Sequence, residues 1–341
     1  MITPQAGPVQ PTTENTPQIL MCPPNHYGIE YEINPWMCRQ RPCDHTAAVT
    51  QWRALRQLLE AAGAKIFCMP PVLGMPDLIF TANAALIYQD LAVIARFRYP
   101  QRQVEVPQDE HWLATHGFRT CHLPPGMFFE GAGDALFCGD TLFAGYRIRS
   151  DIRSHLNLGT LLGCRVIPLE LVQPHFYHLD TCFCPLEPGL AIYYPPAFDE
   201  YGQRALAESI AELIPVDSDE AQNFACNAVV LGRTVITNSG CPNLHDQLRR
   251  HGFEPRETPL GEFVKAGGSA KCLTLRLDGE DAAAWRRAGG RGKKGHVVVS
   301  GGSSAASPHP TVLTFRYRKR NHVGQDSNLV YNEESLTPFV P

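Results

Sequence analysis

Thr81-Ala82-Asn83-Ala84-Ala85-Leu86-Ile87 sets one polar side chain at the mouth of a run of strand-forming residues, and the pattern returns four more times. It reads Ala132-Gly133-Asp134-Ala135-Leu136-Phe137, His178-Leu179-Asp180-Thr181-Cys182-Phe183, Ala225-Cys226-Asn227-Ala228-Val229-Val230 and Ala270-Lys271-Cys272-Leu273-Thr274-Leu275. The polar positions 83, 134, 180, 227 and 271 are separated by 51, 46, 47 and 44 residues, a period that marks repeated supersecondary units. If the units close around an axis, Asn83, Asp134, Asp180 and Cys272 converge there, with Glu130 and His178 a few residues away. A thiol, an imidazole and carboxylates brought together make the composition of an active site.

Each repeat reads as a hairpin, a helix and a returning strand. In the first, 84–88 and 91–96 flank the Gln89-Asp90 turn, and a helix over 108–115 stops at Gly117. The second pairs 135–138 with 141–146 across Gly139-Asp140, then places a helix over 151–162 and a strand over 165–169. The third has strands at 181–186 and 190–194 and a helix over 200–213. The fourth has strands at 228–231 and 234–237 and a helix over 242–251. The fifth is split: its strand follows Cys272, and its helix is the amphipathic segment 46–62, with Val49, Trp52, Leu55, Leu58, Leu59 and Ala62 on one face and Gly63 as its stop. The two ends of the chain thus complete one unit, and a closed ring is expected because closure removes exposed sheet edges.

The chain has 341 residues, a formal net charge of −4 and 44% hydrophobic content, values that fit an enzyme-sized globular protein. No basic stripe with interleaved aromatics precedes the last sixty residues and no apolar run is long enough to cross a bilayer, so neither nucleic acid nor membrane is expected as a partner. The segment 1–17 is rich in Pro, Thr and Gln without an apolar core; it reads as a disordered extension rather than a signal peptide, and a cytoplasmic address is expected. Twelve cysteines in so long a chain are expected to be reduced, and without a CxxC pair no metal site is expected. Beyond Leu277 the apolar pattern dissolves into Gly-, Ser- and Arg-rich sequence. The catalytic domain is therefore drawn at 18–278 and 279–341 is read as a disordered tail.

Four separated motifs, Met75-Pro76-Asp77-Leu78-Ile79-Phe80-Thr81-Ala82-Asn83, Phe129-Glu130-Gly131-Ala132-Gly133-Asp134, His178-Leu179-Asp180-Thr181 and Gly267-Gly268-Ser269-Ala270-Lys271-Cys272, stand in order at repeat starts. Over about 19–277 the chain resembles the guanidino-group-modifying superfamily of arginine deiminases, dimethylarginine dimethylaminohydrolases and amidinotransferases. The resemblance implies a pentein fold, a five-bladed α/β propeller with pseudo-fivefold ββαβ repeats, working without metal or organic cofactor. It also implies Cys272 as nucleophile, His178 as general acid/base, Glu130 as the carboxylate orienting the imidazole and Asp180 as the guanidinium-binding carboxylate.

The chemistry makes sense of that set. A guanidinium carbon is a poor electrophile because its charge is delocalised, so it needs a thiolate attacker and an acid for the departing ammonia. Arg96 and Arg149 resemble positions that grip an α-carboxylate, with the choice between Arg96 and Arg98, and between Arg147 and Arg149, left open. Asp134 either binds substrate or braces its loop. Asn83, where arginine deiminases carry Asp, together with Asn34 in Ile33-Asn34-Pro35-Trp36-Met37, resembles the arginine dihydrolases of cyanobacteria. An amide donates to the oxygen of a neutral ureido group that a carboxylate repels. The implied reaction converts L-arginine to ornithine, ammonia and carbon dioxide through a cysteine-linked thiouronium. A deiminase giving citrulline, a dimethylarginine dimethylaminohydrolase and an inert binding propeller are the alternatives, and a homo-oligomer is compatible with each.

Overall fold

The computed structural model describes residues 16–284. Strand β1 (Gln18–Met21) is followed by a long irregular segment and then helix α1 (His45–Ala61). The helix begins where the Asp44 side chain accepts from the Ala47 N–H at 3.0 Å, and it buries Ala48, Trp52, Leu55 and Leu59. Strand β2 (Lys65–Cys68) then returns parallel to β1.

Four hairpin-helix-strand units follow. The first holds β3 (Ala85–Tyr88), β4 (Leu91–Ile94), the short helix α2 (Pro100–Gln103), α3 (Val106–Thr115) and β5 (Arg119–His122). The second holds β6 (Ala135–Cys138), β7 (Thr141–Tyr146), α4 (Ile152–Leu162) and β8 (Arg165–Glu170). In the third are β9 (Phe183–Glu187), β10 (Leu190–Tyr193), α5 (Glu200–Ser209) and β11 (Glu212–Pro215). In the fourth are α6 (Ser218–Gln222), β12 (Val229–Leu231), β13 (Thr234–Asn238), α7 (Pro242–Arg250) and β14 (Glu254–Thr258). After α8 (Gly261–Val264), β15 (Leu275–Arg276) pairs antiparallel with β1, so the chain ends close the fifth sheet as expected. Each blade is a three-stranded sheet with an antiparallel hairpin inside and a parallel outer strand.

At least one hydrogen bond crosses each blade junction beside the signature loops. Asn83 Nδ2 donates to the Glu130 carbonyl (3.2 Å), the Leu179 N–H to Asp134 Oδ1 (3.0 Å) and Asn227 Nδ2 to the Asp180 carbonyl (2.9 Å). The Lys271 N–H donates to the Asn227 carbonyl and the Ala82 N–H to the Cys272 carbonyl, each at 3.2 Å, which completes the circle. Buried polar groups need partners, and the ring supplies them. The repeated polar residue therefore fastens blades together before it does anything else.

Two expectations are corrected. The helix read over 200–213 ends at Ser209, because Leu213 and Ile214 belong to β11, paired in parallel with β10. The tail drawn from 279 begins too early. Residues 278–284 lie against the ring: Gly139 N–H donates to the Ala282 carbonyl (2.6 Å), Ala284 N–H to the Gly139 carbonyl (2.7 Å) and Gly232 N–H to Asp281 Oδ2 (2.6 Å). The disorder expected for 1–17 and for the remainder of 279–341 falls, apart from residues 16, 17 and 279–284, outside the described residues. Among the described residues no helix is long and apolar enough to cross a membrane.

Candidate active site

Cys272 sits at the end of the loop that follows α8, where Gly267 turns the chain at φ +85° and gives its carbonyl to the Tyr177 hydroxyl at 2.7 Å. A Cβ on Gly268 would come within 2.5 Å of the Phe80 ring, so only glycine lets the loop lie against that wall. The thiol donates to Asp180 Oδ2 at 3.3 Å and accepts from Asn227 Nδ2 at 3.1 Å. The same amide's Oδ1 accepts from the N–H groups of Ser269 and Cys272, both at 3.1 Å, which fixes the loop and the direction of the amide together. Burial, and next the Asp180 carboxylate, push the thiol well above its ordinary range; burial likewise pushes Asp180 up to about 7. Both shifts favour the protonated forms.

His178 precedes the short turn Leu179–Thr181, and its Nε2 lies 2.6 Å from Glu130 Oε2. Glu130 is fully buried and also accepts from Arg149 Nη1 (3.0 Å) and from the Arg98 N–H (3.0 Å). Burial would raise Glu130, but Arg149 and His178 win and hold it well below the usual carboxylate range. A permanently ionised carboxylate therefore fixes the imidazole. Its Nδ1 lies on the side of Gly133, where a Cβ would stand 3.5 Å from that nitrogen and 2.1 Å from Asn83 Nδ2.

Arg149 packs between the rings of Tyr99 and Tyr177, 4.8 and 4.5 Å from their centroids, and donates from Nη2 to the Ile33 carbonyl at 3.0 Å. A small cavity is lined by Arg149, Cys272, Asn83 and Asn34, and also by Asp77 and Arg102. Asn34 belongs to the irregular segment between β1 and α1, which roofs the cavity. Its Nδ2 donates to the Ala266 carbonyl (3.0 Å) and its Oδ1 accepts from the Trp36 N–H (2.9 Å). Among the described residues, Asp180 Oδ1, Asp77 Oδ1, Arg149 Nε and Ser269 Oγ are buried without a hydrogen-bond partner. Asp77 and Arg149 lie on the cavity wall and Asp180 and Ser269 beside Cys272; leaving such groups unpartnered is costly for folding and suits a ligand carrying charges of both signs. Among the described residues no group of three His, Cys, Asp or Glu side chains is arranged to hold a metal ion.

Cys272, His178, Glu130, Asp180, Asn83, Asn34 and Arg149 are thus gathered at one site, and Arg149 rather than exposed Arg147 faces inward. Two expectations change. Arg96 pairs through its backbone with Phe129 and does not line the cavity, and Arg98 is tied to Asp151 at 2.8 Å; the inward arginine of this blade is Arg102. Pro100 opens α2, which turns the chain back so that Arg102 Nη1 donates to Asn83 Oδ1 at 2.8 Å while Glu105 takes its other face. Asp134 braces its loop, its oxygens accepting from Leu179 N–H (3.0 Å) and Ser150 Oγ (2.6 Å), and it does not line the cavity. Sequence reading also passed over Asn227 and Asp77. The first stood at the polar position of the fourth repeat and the second inside a quoted motif, so the repeat itself carried the signal.

The family model for N,N dimethylarginine dimethylhydrolase, eukaryotic, matches residues 36–277. The chain belongs to this family. A bifunctional arginine dihydrolase/ornithine cyclodeaminase, ArgZ, from Synechocystis is 46% identical over 265 residues, which cover 76% of this chain and 37% of that protein. This chain thus spans well under half the length of that relative. An N(G),N(G)-dimethylarginine dimethylaminohydrolase from Mycobacterium tuberculosis is 39% identical over 78% of this chain and 87% of that protein. The crystal structure of the N-terminal domain of ArgZ bound to substrate superposes with a TM-score of 0.75 at 44% identity, over 79% of this chain and 99% of that one. The pentein-type propeller that the resemblance implies is thereby established for this chain.

Proposed function

We propose that this chain hydrolyses L-arginine twice at its guanidino carbon, consuming two waters and releasing ornithine, two ammonia molecules and carbon dioxide. The similarity to ArgZ supports the substrate, and twelve cysteines, none of them in a disulfide, suit a reducing, cytoplasmic setting. The cavity supports it chemically. Asp180 Oδ1 accepts from the guanidinium beside the thiol, and the positive charge draws both Asp180 and Cys272 toward their ionised forms. Arg149 and Arg102 face the α-carboxylate, and Asp77 Oδ1 accepts from the α-ammonium. The Cys272 thiolate forms a C–S bond to the guanidino carbon; as the C–N bond breaks, the departing ammonia takes its proton from His178. A water then loses a proton to His178 and adds to the same carbon, the C–S bond breaks, and the bound ureido product is open to a second attack.

The observation that carries the second step is the fixed direction of the Asn83 amide. Arg102 occupies Oδ1, so the NH2 group faces the site; one hydrogen goes to the Glu130 carbonyl and the other is available to a ureido oxygen. An Asp at 83 would keep Arg102 as a partner, but its second oxygen would oppose both the Glu130 carbonyl and the ureido oxygen. The loss is roughly 2–4 kcal/mol, slowing the second step by about thirtyfold or more. Arginine, citrulline and ornithine are followed over time for wild type and Asn83→Asp: wild type gives ornithine and the variant accumulates citrulline. Wild type stopping at citrulline would overturn the dihydrolase reading in favour of a deiminase. The family match and the mycobacterial relative favour dimethylarginine as a second reading, so asymmetric dimethylarginine belongs in the same assay.

A further inference from the structure

Asn227 stands at the polar position of the fourth repeat, where Asn83, Asp134 and Asp180 stand in the first three, and its side chain is fully buried. Its Oδ1 accepts from the N–H groups of Ser269 and Cys272, both at 3.1 Å. An atom faced by two backbone donors has to be the oxygen, so the direction of the amide is fixed and its other end is a donor. Of the two Nδ2 hydrogens, one goes to the Asp180 carbonyl (2.9 Å) across the blade junction and the other to the Cys272 sulfur (3.1 Å). Fastening the junction requires only the first. Asn83 shows this: it ties its own junction through Nδ2 and the Glu130 carbonyl, and among the described residues it makes no hydrogen bond to a sulfur.

A thiol sulfur is a weak acceptor, whereas a thiolate takes a charge-assisted hydrogen bond, so an N–H aimed at sulfur discriminates between the two forms. Among the described residues two side chains hydrogen-bond to the Cys272 sulfur, and they act in opposite senses. The Asp180 carboxylate accepts from the thiol and so keeps its proton on, while the Asn227 amide donates. We propose that Asn227 is a catalytic residue of this site, a fixed donor that touches the reacting sulfur and stabilises its thiolate. The electron pair of the thiolate forms the C–S bond to the guanidino carbon, and when that bond breaks the pair returns to a sulfur that Asn227 still faces. One preset donor thus serves the nucleophile and the leaving group. The other titratable groups near the sulfur are Tyr177 and His178 of the third blade and, across the cavity, Asp77, Arg102 and Arg149. His178 and Arg149 are bound to Glu130 and Arg102 to Glu105. Lys271, of the same loop as Cys272, is ion-paired with Glu280 of the strap formed by residues 278–284. Among the described residues no cationic side chain therefore hydrogen-bonds to the sulfur, and the donor it has is Asn227.

The geometry at the sulfur is independent of the substrate, so the first arm of the test uses none. Cysteine labelled at its β-carbon is incorporated, and the Cys272 resonance is assigned by its absence in Cys272→Ser. Its titration is followed by NMR from pH 6 to 11 in the Asp180→Asn background, where the opposing carboxylate is gone. Adding Asn227→Ala should raise the midpoint by about one pH unit, a roughly tenfold loss of thiolate on the acid side. Asn83→Ala in the same background removes an equivalent junction bond and should leave the midpoint in place. Asn227→Asp keeps an acceptor for Ser269 and Cys272 but ends the donation; it should raise the midpoint further, and it replaces the alanine variant should that not fold. An unchanged midpoint in the Asn227 variants, or an equal rise with Asn83→Ala, would make Asn227 purely structural and overturn the proposal. The second arm rests on the proposed function. With L-arginine, kcat of Asn227→Ala should fall about tenfold near neutral pH and approach wild type at high pH, with KM little changed. A deficit constant at every pH would overturn the catalytic role. Absence of product from wild type at every pH would overturn the proposed function and leave the role of Asn227 to be decided by the NMR titration.

Discussion

Cys226 and Cys272 occupy neighbouring signature loops, one residue before and one residue after the polar position of their blades, and both are almost wholly buried. Burial pushes both thiols well above their ordinary range. Beyond that they share little. The charge partners of Cys226 are the thiols Cys182, Cys184 and Cys241, and among the described residues its sulfur makes no hydrogen bond. Cys272 touches a carboxylate and an amide and lines the cavity. One sulfur lies in the core and the other at the cavity. The difference lies in neighbours and access, since burial and repeat position are common to both.

The largest effect expected from this contrast is that of Cys272→Ser, which should lower ornithine release by about a thousandfold or more, because a hydroxyl is a far weaker nucleophile at neutral pH. Arginine binding measured by calorimetry should survive. Glu130→Gln sharpens the contrast from the other side of the cavity. It leaves Arg149 buried without its ion-pair partner and frees His178, so stability should fall by about 3–5 kcal/mol in denaturant melts, with a large loss of turnover. An unchanged melt would show that Arg149 finds another partner.

Asp180 gives a smaller, pH-dependent effect. Its folded-state value of about 7 lies above the ordinary carboxylate range, so the folded protein keeps a proton that the unfolded chain releases near pH 4. Its contribution to stability is fully present below pH 4 and is lost as pH rises through 7, amounting to on the order of 4 kcal/mol. Asp180→Asn should therefore raise Tm at pH 8 and change it little at pH 4, while turnover falls. A Tm difference that grows toward low pH would reverse the sign. The smallest effect on activity belongs to Cys226→Ala, which removes one buried sulfur: a loss of about 1 kcal/mol of stability and turnover within about twofold of wild type.

How much of this was legible in the sequence depends on what each residue faces. The second hairpin could be read to its ends because Gly139-Asp140 marks the turn and the apolar runs stop on either side. The outer strands β5 (Arg-Thr-Cys-His) and β14 (Glu-Pro-Arg-Glu-Thr) carry no alternation, because both border the surface and backbone pairing alone makes them strands. Arg96 and Arg102 show the same limit at the site. A propensity pattern does not tell which arginine a four-residue helix swings inward; that is decided by Glu105 and Asn83, contacts made only in the folded chain. The strap was missed because Asp278 to Ala284 bury only one apolar side chain, Ala282, and hold on through backbone groups and carboxylates.

The assignment of chemistry to one sulfur and packing to the other is tested most directly by trapping the covalent intermediate. Wild-type protein turning over L-arginine is quenched in acid, digested with trypsin and analysed by mass spectrometry. Cleavage after Lys271 and Arg276 isolates the peptide Cys272-Leu273-Thr274-Leu275-Arg276, whereas Cys226 falls in the peptide spanning 205–233. The account predicts a substrate-derived adduct on the first peptide and none on the second. An adduct on the Cys226 peptide, with Cys272 unmodified, would contradict it.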